Sequence, residues 1–315
     1  MRKLLVAVLA FWIGTAFAQS FPARAVRIVV AGPPGSSPDV VMRVVGPKLS
    51  ELWRQPVVVE NRAGAAGIIG AQAVASAAPD GYTYMYTINS AICANPHLYA
   101  KLPYDPFKSF APVSQVVNLG YVLMASNGFT EVSDVKGLIE YAKAYPGKLN
   151  YASVGHGGGN HISMAMLLDM AGVDMTHVPT QDSQAAIASG ITHVALVPYT
   201  TGVTLARGAR ARPIAVTLAK RLDHLPSVPT VSETVPGYVA DAWHGLFAPA
   251  GTAQAIVDKV SADMAVALKA PEVHKRLTDI GLDPIGLPAR EFAELIRRDY
   301  EKWGRVIAKA KIRIE

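Results

Sequence analysis

The chain has a single cysteine, Cys93, in 315 residues. An intramolecular disulfide is therefore impossible, which excludes a stapled small scaffold and leaves packing to hold the fold. Charge is also scarce: Asp, Glu, Lys and Arg make up 17% of the residues, with 30 basic against 24 acidic side chains. Near the C-terminus Arg297, Arg298, Lys302, Arg305 and Lys309 alternate with Glu294, Asp299 and Glu301, the pattern of a solvated helix face and not of a stripe that tracks phosphates. Nucleic acid is not an expected partner, whereas a weakly positive surface favours encounter with small anions. No Gly-x-Ser-x-Gly nucleophile elbow, no His-Glu-x-x-His helix and no cysteine pair occurs. A lipase-type hydrolase and the familiar metal-binding patterns thus lack their defining residues.

Long apolar runs are missing too, and the nearest approach opens the chain. Arg2 and Lys3 precede an uncharged stretch from Leu4 to Phe17, and Ala16-Phe17-Ala18 forms a small-x-small cleavage site that makes Gln19 the first mature residue. The stretch is short of the ~20 residues a spanning helix needs, so residues 1–18 read as a signal peptide. With no cysteine near the cleavage point, a lipid anchor is not expected. The mature protein belongs in a periplasm or outside the cell, where cytosolic cofactors are out of reach, and no cofactor is expected. Cleavage lowers the formal charge from +6 to +4. The 297 residues that remain, from a chain that is 50% apolar, suffice for a large core and favour two domains.

Strand-like and helix-like segments alternate from Val26 onward, which predicts an α/β fold with largely parallel sheets. Val26 to Ala31 reads as a buried strand, and Pro38 to Trp53 as a helix with Val41, Val44, Val45, Leu49 and Leu52 on one face, kinked or split at Pro47. Strands follow at Val57 to Glu60 and Tyr82 to Thr87, with a small-residue helix from Ile68 to Ala77 between them. Extended segments from Val113 to Ala125 lead into a second alternating series that ends near Thr217, and a strand from Ala242 to Ala248 precedes a helical region from Ala253 to about Ala310. The C-terminal helices lack a sheet of their own and must pack on strands supplied earlier. This implies a discontinuous first lobe, residues 19–120 plus 246–315, and a second lobe, residues 121–245. The chain would cross near Leu119 to Tyr121 and return near Trp243 to Leu246, leaving a hinge and a cleft between the lobes.

Three loops offer polar groups at strand ends. Gly32-Pro33-Pro34-Gly35-Ser36-Ser37-Pro38-Asp39 leads into the first helix, with Ser37 as the expected N-cap and Asp39 placed to offset the helix dipole. Gly155-His156-Gly157-Gly158-Gly159-Asn160-His161 has the same design: glycines admit a ligand close to the backbone, and a helix N-terminus favours negative charge. Thr87-Ile88-Asn89-Ser90 ends a third strand with hydroxyl and amide groups. Gly155-x-Gly157 followed by Asp174 approaches dinucleotide spacing, but Asn160 replaces the third glycine. Gly64, Gly67 and Gly70, spaced three apart, fit neither that pattern nor the oxyanion-hole string of lipases. His156 and His161, five apart and without a third partner nearby in sequence, read as a loop residue and a helix-opening residue, not as metal ligands. Nothing assembles a nucleophile, a base and an orienting group, so no enzyme is expected.

The order of motifs resembles the receptors of tripartite tricarboxylate transporters, the Bug family. The resemblance rests on Val29-Val30-Ala31-Gly32-Pro33-Pro34-Gly35, Gln55-Pro56-Val57-Val58-Val59-Glu60-Asn61-Arg62 and Ala78-Pro79-Asp80-Gly81-Tyr82-Thr83. It continues through Leu102-Pro103-Tyr104-Asp105-Pro106, Pro146-Gly147-Lys148-Leu149-Asn150-Tyr151-Ala152-Ser153, Val228-Pro229-Thr230-Val231 and Leu246-Phe247-Ala248-Pro249-Ala250-Gly251. It covers essentially the whole mature chain. It implies a two-lobed α/β periplasmic binding protein of type II-like form that closes on a small organic acid and delivers it to a two-component membrane permease; a monomer is expected because it suits a hinged receptor. The alternative is a ligand-presenting component for a membrane sensor kinase. The resemblance places Gly32 to Asp39 and Ser153 to His161 around the ligand, and Thr87, Asn89 and Ser90 are added from the third loop.

Departures from the family pattern fall where specificity would be set. Thr180-Gln181-Asp182 stands where the family commonly has Tyr-Lys-Gly, Ser36 where a second glycine is frequent, and Gly190-Ile191-Thr192-His193 and Pro198-Tyr199-Thr200 are also unusual. The candidate ligand residues therefore include Thr180, Asp182 and Tyr199. Asp182 either caps the helix that begins there or faces the cleft, where it would favour an amine or hydroxyl or repel dianions.

Overall fold

A computed structural model of the protein describes residues 21–314 other than 181, 223 and 224. The expected signal peptide lies outside the described residues. Two mixed sheets organise the chain. The first contains β1 (Val26–Val30), β2 (Val57–Asn61), β3 (Thr83–Ile88), β4 (Phe110–Leu119), β10 (Ala242–Pro249) and β11 (Asp283–Pro288), in the order β11-β4-β10-β3-β1-β2. The second contains β5 (Tyr121–Ser126), β6 (Asn150–Ser153), β7 (Thr176–Pro179), β8 (Val194–Pro198) and β9 (Ala211–Val216), in the order β7-β6-β8-β5-β9. Among the described residues no helix is long and apolar enough to cross a membrane.

The sheets are less parallel than the alternation predicts. β1 runs parallel to β2 and β3, and β6 parallel to β7 and β8, but β10 is antiparallel to both β3 and β4. Likewise β5 is antiparallel to β8 and β9. Strands that carry the chain out of a lobe and back must point opposite ways, so the crossovers impose antiparallel pairing. The outward crossing is one residue, Gly120, between β4 and β5. The return comes earlier than expected, because all of β10 from Ala242 pairs in the first sheet, placing residues 242–245 there and not in the second lobe. Thr217 ties the two crossings together: its hydroxyl accepts from the Tyr121 amide, its amide donates to Tyr121 O, and its carbonyl accepts from the Ala240 amide.

Two other expectations are corrected by packing. The helix α1 (Ser37–Trp53) passes through Pro47 without interruption. Proline removes one main-chain hydrogen bond, but Val41, Val44 and Val45 before it and Leu49 and Trp53 after it are buried on one core, and the helix is not split. The C-terminal region is not all helix. Between the helices Pro271–Asp279 and Ala289–Lys309 lies β11, whose Asp-Pro-Ile-Gly-Leu-Pro sequence reads as a breaker. At the sheet edge, paired only with β4 and bulged between Pro284 and Leu287, it needs few ladder donors, and its prolines are tolerated.

The largest core cluster includes Val29 and Met85 of the first sheet and Leu123, Leu196 and Ile214 of the second. Trp243 and His244 are wholly buried on β10. Trp243 donates from Nε1 to Asp299 Oδ2 at 2.7 Å, fastening the last long helix, Ala289–Lys309, to the crossover.

Candidate functional site

The C-terminal ends of parallel strands β1, β2, β3 and β6 all feed loops that enclose one cleft of about 390 Å3. Gly32, Pro33, Ser36 and Pro38 come from the β1 loop, Gly64, Ala66 and Gly67 from the β2 loop, Ser90 from the β3 end, and Val154 and residues 156–159 from the β6 loop of the other lobe. Open α/β sheets place ligands at such strand ends. No lysine, arginine, aspartate or glutamate stands among the described residues lining it. Polarity comes from backbone amides, Ser36, Ser90, Asn95, Tyr99 and His156.

Helix starts supply the amides. Helix α2 (Gly159–Ala171) follows Gly158, whose backbone is extended; in its first turn the His161 amide is taken by Asn160 Oδ1, whereas those of Gly159 and Asn160 lie too early in the helix for a main-chain acceptor within it. Gly157 has φ of +74°, which a side chain tolerates poorly, and an added Cβ would stand 2.8 Å from Ile314. At the other wall the cap of α1 is Ser36, not Ser37, and its hydroxyl is buried without a hydrogen-bond partner. Asp39 already occupies that helix end. Its Oδ2 accepts from Gly35 N at 2.8 Å and Arg43 Nε at 2.9 Å, and the Arg43 bond, helped by Gly35, holds its pKa below the ordinary carboxylate range.

The candidate residues divide by position. Gly32, Ser36, Ser90, His156, Gly157 and Gly158 line the cleft. Gly35, Ser37 and Tyr199 line a larger concavity of about 820 Å3 on the other side of the β1 loop, with Arg207 and Asp279. Thr87 and Asn89 are buried, and the stretch from Asn89 to Cys93 is a short helix, not a loop. Pro34 and Gly155 line neither concavity. Ser153, Asn160 and His161 are buried behind the β6 loop and brace it: Asn160 donates to Leu196 O, and His161 Nδ1 accepts from Gly157 N at 3.0 Å. Thr180 and Asp182 also line neither concavity. Asp182 Oδ1 accepts from the amides of Gln184 and Ala185, capping the helix Ser183–Ala188, and Thr180 accepts from the Asp182 amide. The capping alternative is the one observed.

Sequence reading missed Gly64, Ala66 and Gly67, although the glycine spacing after β2 was a usable signal. Gly70 completes it, because a Cβ there would lie 2.7 Å from Ala31 Cα, and its absence lets the following helix approach β1. The reading also missed His177, which β7 places beside His161 with ring centroids 3.9 Å apart. Burial, added to by the neighbouring rings, pushes both His161 and His177 down to a pKa of about 4.

Two α/β lobes joined by crossing strands, with a cleft at their strand ends, define the periplasmic binding protein fold. Residues 41–312 match the tripartite tricarboxylate transporter family receptor, and the chain belongs to that family. It is 30% identical over 314 residues to Protein BugT of Bordetella pertussis, covering 96% of each chain. It is similar to the solved structure of R. palustris Rpa4515 with adipate, at 30% identity and a TM-score of 0.80 over 93% of this chain and 100% of that one. It is also similar to MatC (Rpa3494) from Rhodopseudomonas palustris with bound malate, at 31% identity and a TM-score of 0.76 over 91% and 100%. The family is one of substrate-binding receptors and not an enzyme class.

Proposed function

We propose that this protein is a periplasmic receptor that captures a small organic carboxylate between its lobes and delivers it, as a monomer, to a two-component permease of the tripartite tricarboxylate type. The observation that carries the reading is a cleft walled by the start of the helix Gly159–Ala171 from one lobe and by the hydroxyls of Ser36 and Ser90 from the other, without a fixed charge among its described lining residues. Amides directed at a helix N-terminus hold a carboxylate without a buried cation, and water bridges what they do not reach. The cleft volume suits a four- to six-carbon acid, the class to which the adipate and malate of the two relatives belong. Lobe closure follows from differential affinity, since a ligand touching both walls binds the closed form better than the open one. A thermal-shift series on residues 19–315 with adipate, malate, monocarboxylates and the corresponding amides tests this. A ligand at 100 times its Kd adds about 2.7 kcal/mol of stability. A shift with one acid class and none with its amide supports the reading. No shift with any acid, after refolding to strip a retained ligand, overturns it.

A further inference from the structure

Three histidines converge beside the cleft from elements that the sequence keeps apart. His156 comes from the β6 loop, His161 from the first turn of α2 and His177 from β7, opposite Tyr151 of β6 in the parallel register. One ligand nitrogen from each can be chosen so that all three lie within 4.8 Å of one another. We propose that His156, His161 and His177 form a binding site for one zinc ion, with a fourth coordination position left for water or an exogenous anion.

The local hydrogen bonds prepare the ligands. Ser153 Oγ donates to Gly155 O at 3.0 Å, so its contact of 2.6 Å with His177 Nε2 is one in which the ring N–H donates and the hydroxyl accepts. The remaining lone pair of His177 is therefore on Nδ1, a buried atom without a partner. A ring N–H held by a neighbouring oxygen, with the other nitrogen bare, is the arrangement that orients metal-bound histidines. His156 is exposed, so it is free to rotate into place. Tetrahedral Zn–N bonds of 2.0–2.1 Å put the nitrogens about 3.3 Å apart, and because the His161 and His177 rings now stack with 8° between their planes, the His161 ring must turn out of the stack to share the ion.

His161 is the ligand whose present bond must change. A neutral imidazole has one lone pair, and that of His161 accepts the Gly157 N–H. Coordination takes this lone pair, directly or after a tautomer shift, and releases the Gly157 amide, which belongs to the cleft wall. Lys309, Lys311 and Arg313 share the depression with Asp169 and Asp174, and Lys309 is paired with Asp169 at 2.6 Å. Imidazole ligands select borderline ions over calcium or magnesium.

The test is zinc chloride titrated calorimetrically into tag-free residues 19–315, stripped with chelator, in a buffer without carboxylates. That choice keeps the outcome separate from the receptor reading. One ion per chain is expected, with His156→Ala and His177→Gln each weakening binding at least tenfold, and the exposed His274→Gln leaving it unchanged. Ser153→Ala, which frees the His177 tautomer, should weaken it roughly 10- to 100-fold. Cobalt substituted for zinc should give the intense visible bands of a four-coordinate ion. Circular dichroism checks that each variant is folded, and the exposed His156 keeps the test valid if His177→Gln is not. No zinc bound at 1 mM, or binding indifferent to His156→Ala, overturns the proposal.

Discussion

His244 gives the protein a specific vulnerability to acid. It is wholly buried on β10, its ring packs edge-on to Tyr86 at 5.6 Å, and neither ring nitrogen has a hydrogen-bond partner. Burial lowers its pKa from 6.5 to about 3. Above pH 6.5 the ring is neutral in both folded and unfolded chains, and it contributes no pH dependence. Below that, the unfolded chain binds a proton that the folded protein refuses until about pH 3, so stability falls as the pH drops through this window. At about 1.4 kcal/mol per pH unit, this one group removes roughly 2 kcal/mol by pH 5. His161 and His177, at about 4, and His97, also lowered by burial, act in the same direction, which makes the total slope steeper. His244→Leu isolates one proton's share. At pH 7.5 the variant should be at least as stable as the parent, because it removes two unpaired buried nitrogens. Urea unfolding at pH 8, 7, 6 and 5 should then show its advantage growing by about 1.4 kcal/mol per unit below pH 6.5. Curves that run parallel from pH 8 to 5 would refute the claim that His244 stays neutral in the folded state.

Three further outcomes are expected. Asp299→Ala should lower stability by roughly 2–4 kcal/mol, since it strands the buried Trp243 N–H and takes from Lys302 its nearer carboxylate, 2.9 Å away, leaving only Asp241 at 3.6 Å; Asp299→Asn, which keeps an acceptor for Trp243, should lose less in the same urea midpoints. Gly281→Ala should cost about 1–3 kcal/mol, because Gly281 has φ of +76° and its added Cβ would overlap the Tyr199 ring of the other lobe; an unchanged melting temperature would mean that this contact between lobes is loose. Cys93 is fully buried and its thiol pKa is raised well above the ordinary value by burial, so a thiol reagent should label it only at the rate of unfolding. Rapid labelling of the folded protein would contradict the packing around it.

How much was legible depends on how local the signal is. The β1 and β6 loops stand out in sequence because glycines and helix-start residues are contiguous there, and both line one cleft, from opposite walls. Asp182 was ambiguous because an acid before a helix reads equally as cap or ligand, and only the direction of its carboxylate toward Gln184 and Ala185 separates the two. β11 was hidden because proline and glycine signal a break unless the strand lies at an edge, and edge position is a property of the whole sheet.

The sequence by itself determined the alternation of elements, the two-lobed α/β plan, the absence of a disulfide and the strand-end loops, because each follows from neighbouring residues and their periodicity. Tertiary structure decided what those loops enclose and what stands behind them. His156 and His161 lie five residues apart, but His177 joins them only because β7 pairs in register with β6, sixteen residues on from His161. Hydrogen bonds between strands bring distant residues together at a register no local pattern encodes, and burial then sets the protonation of the groups so assembled.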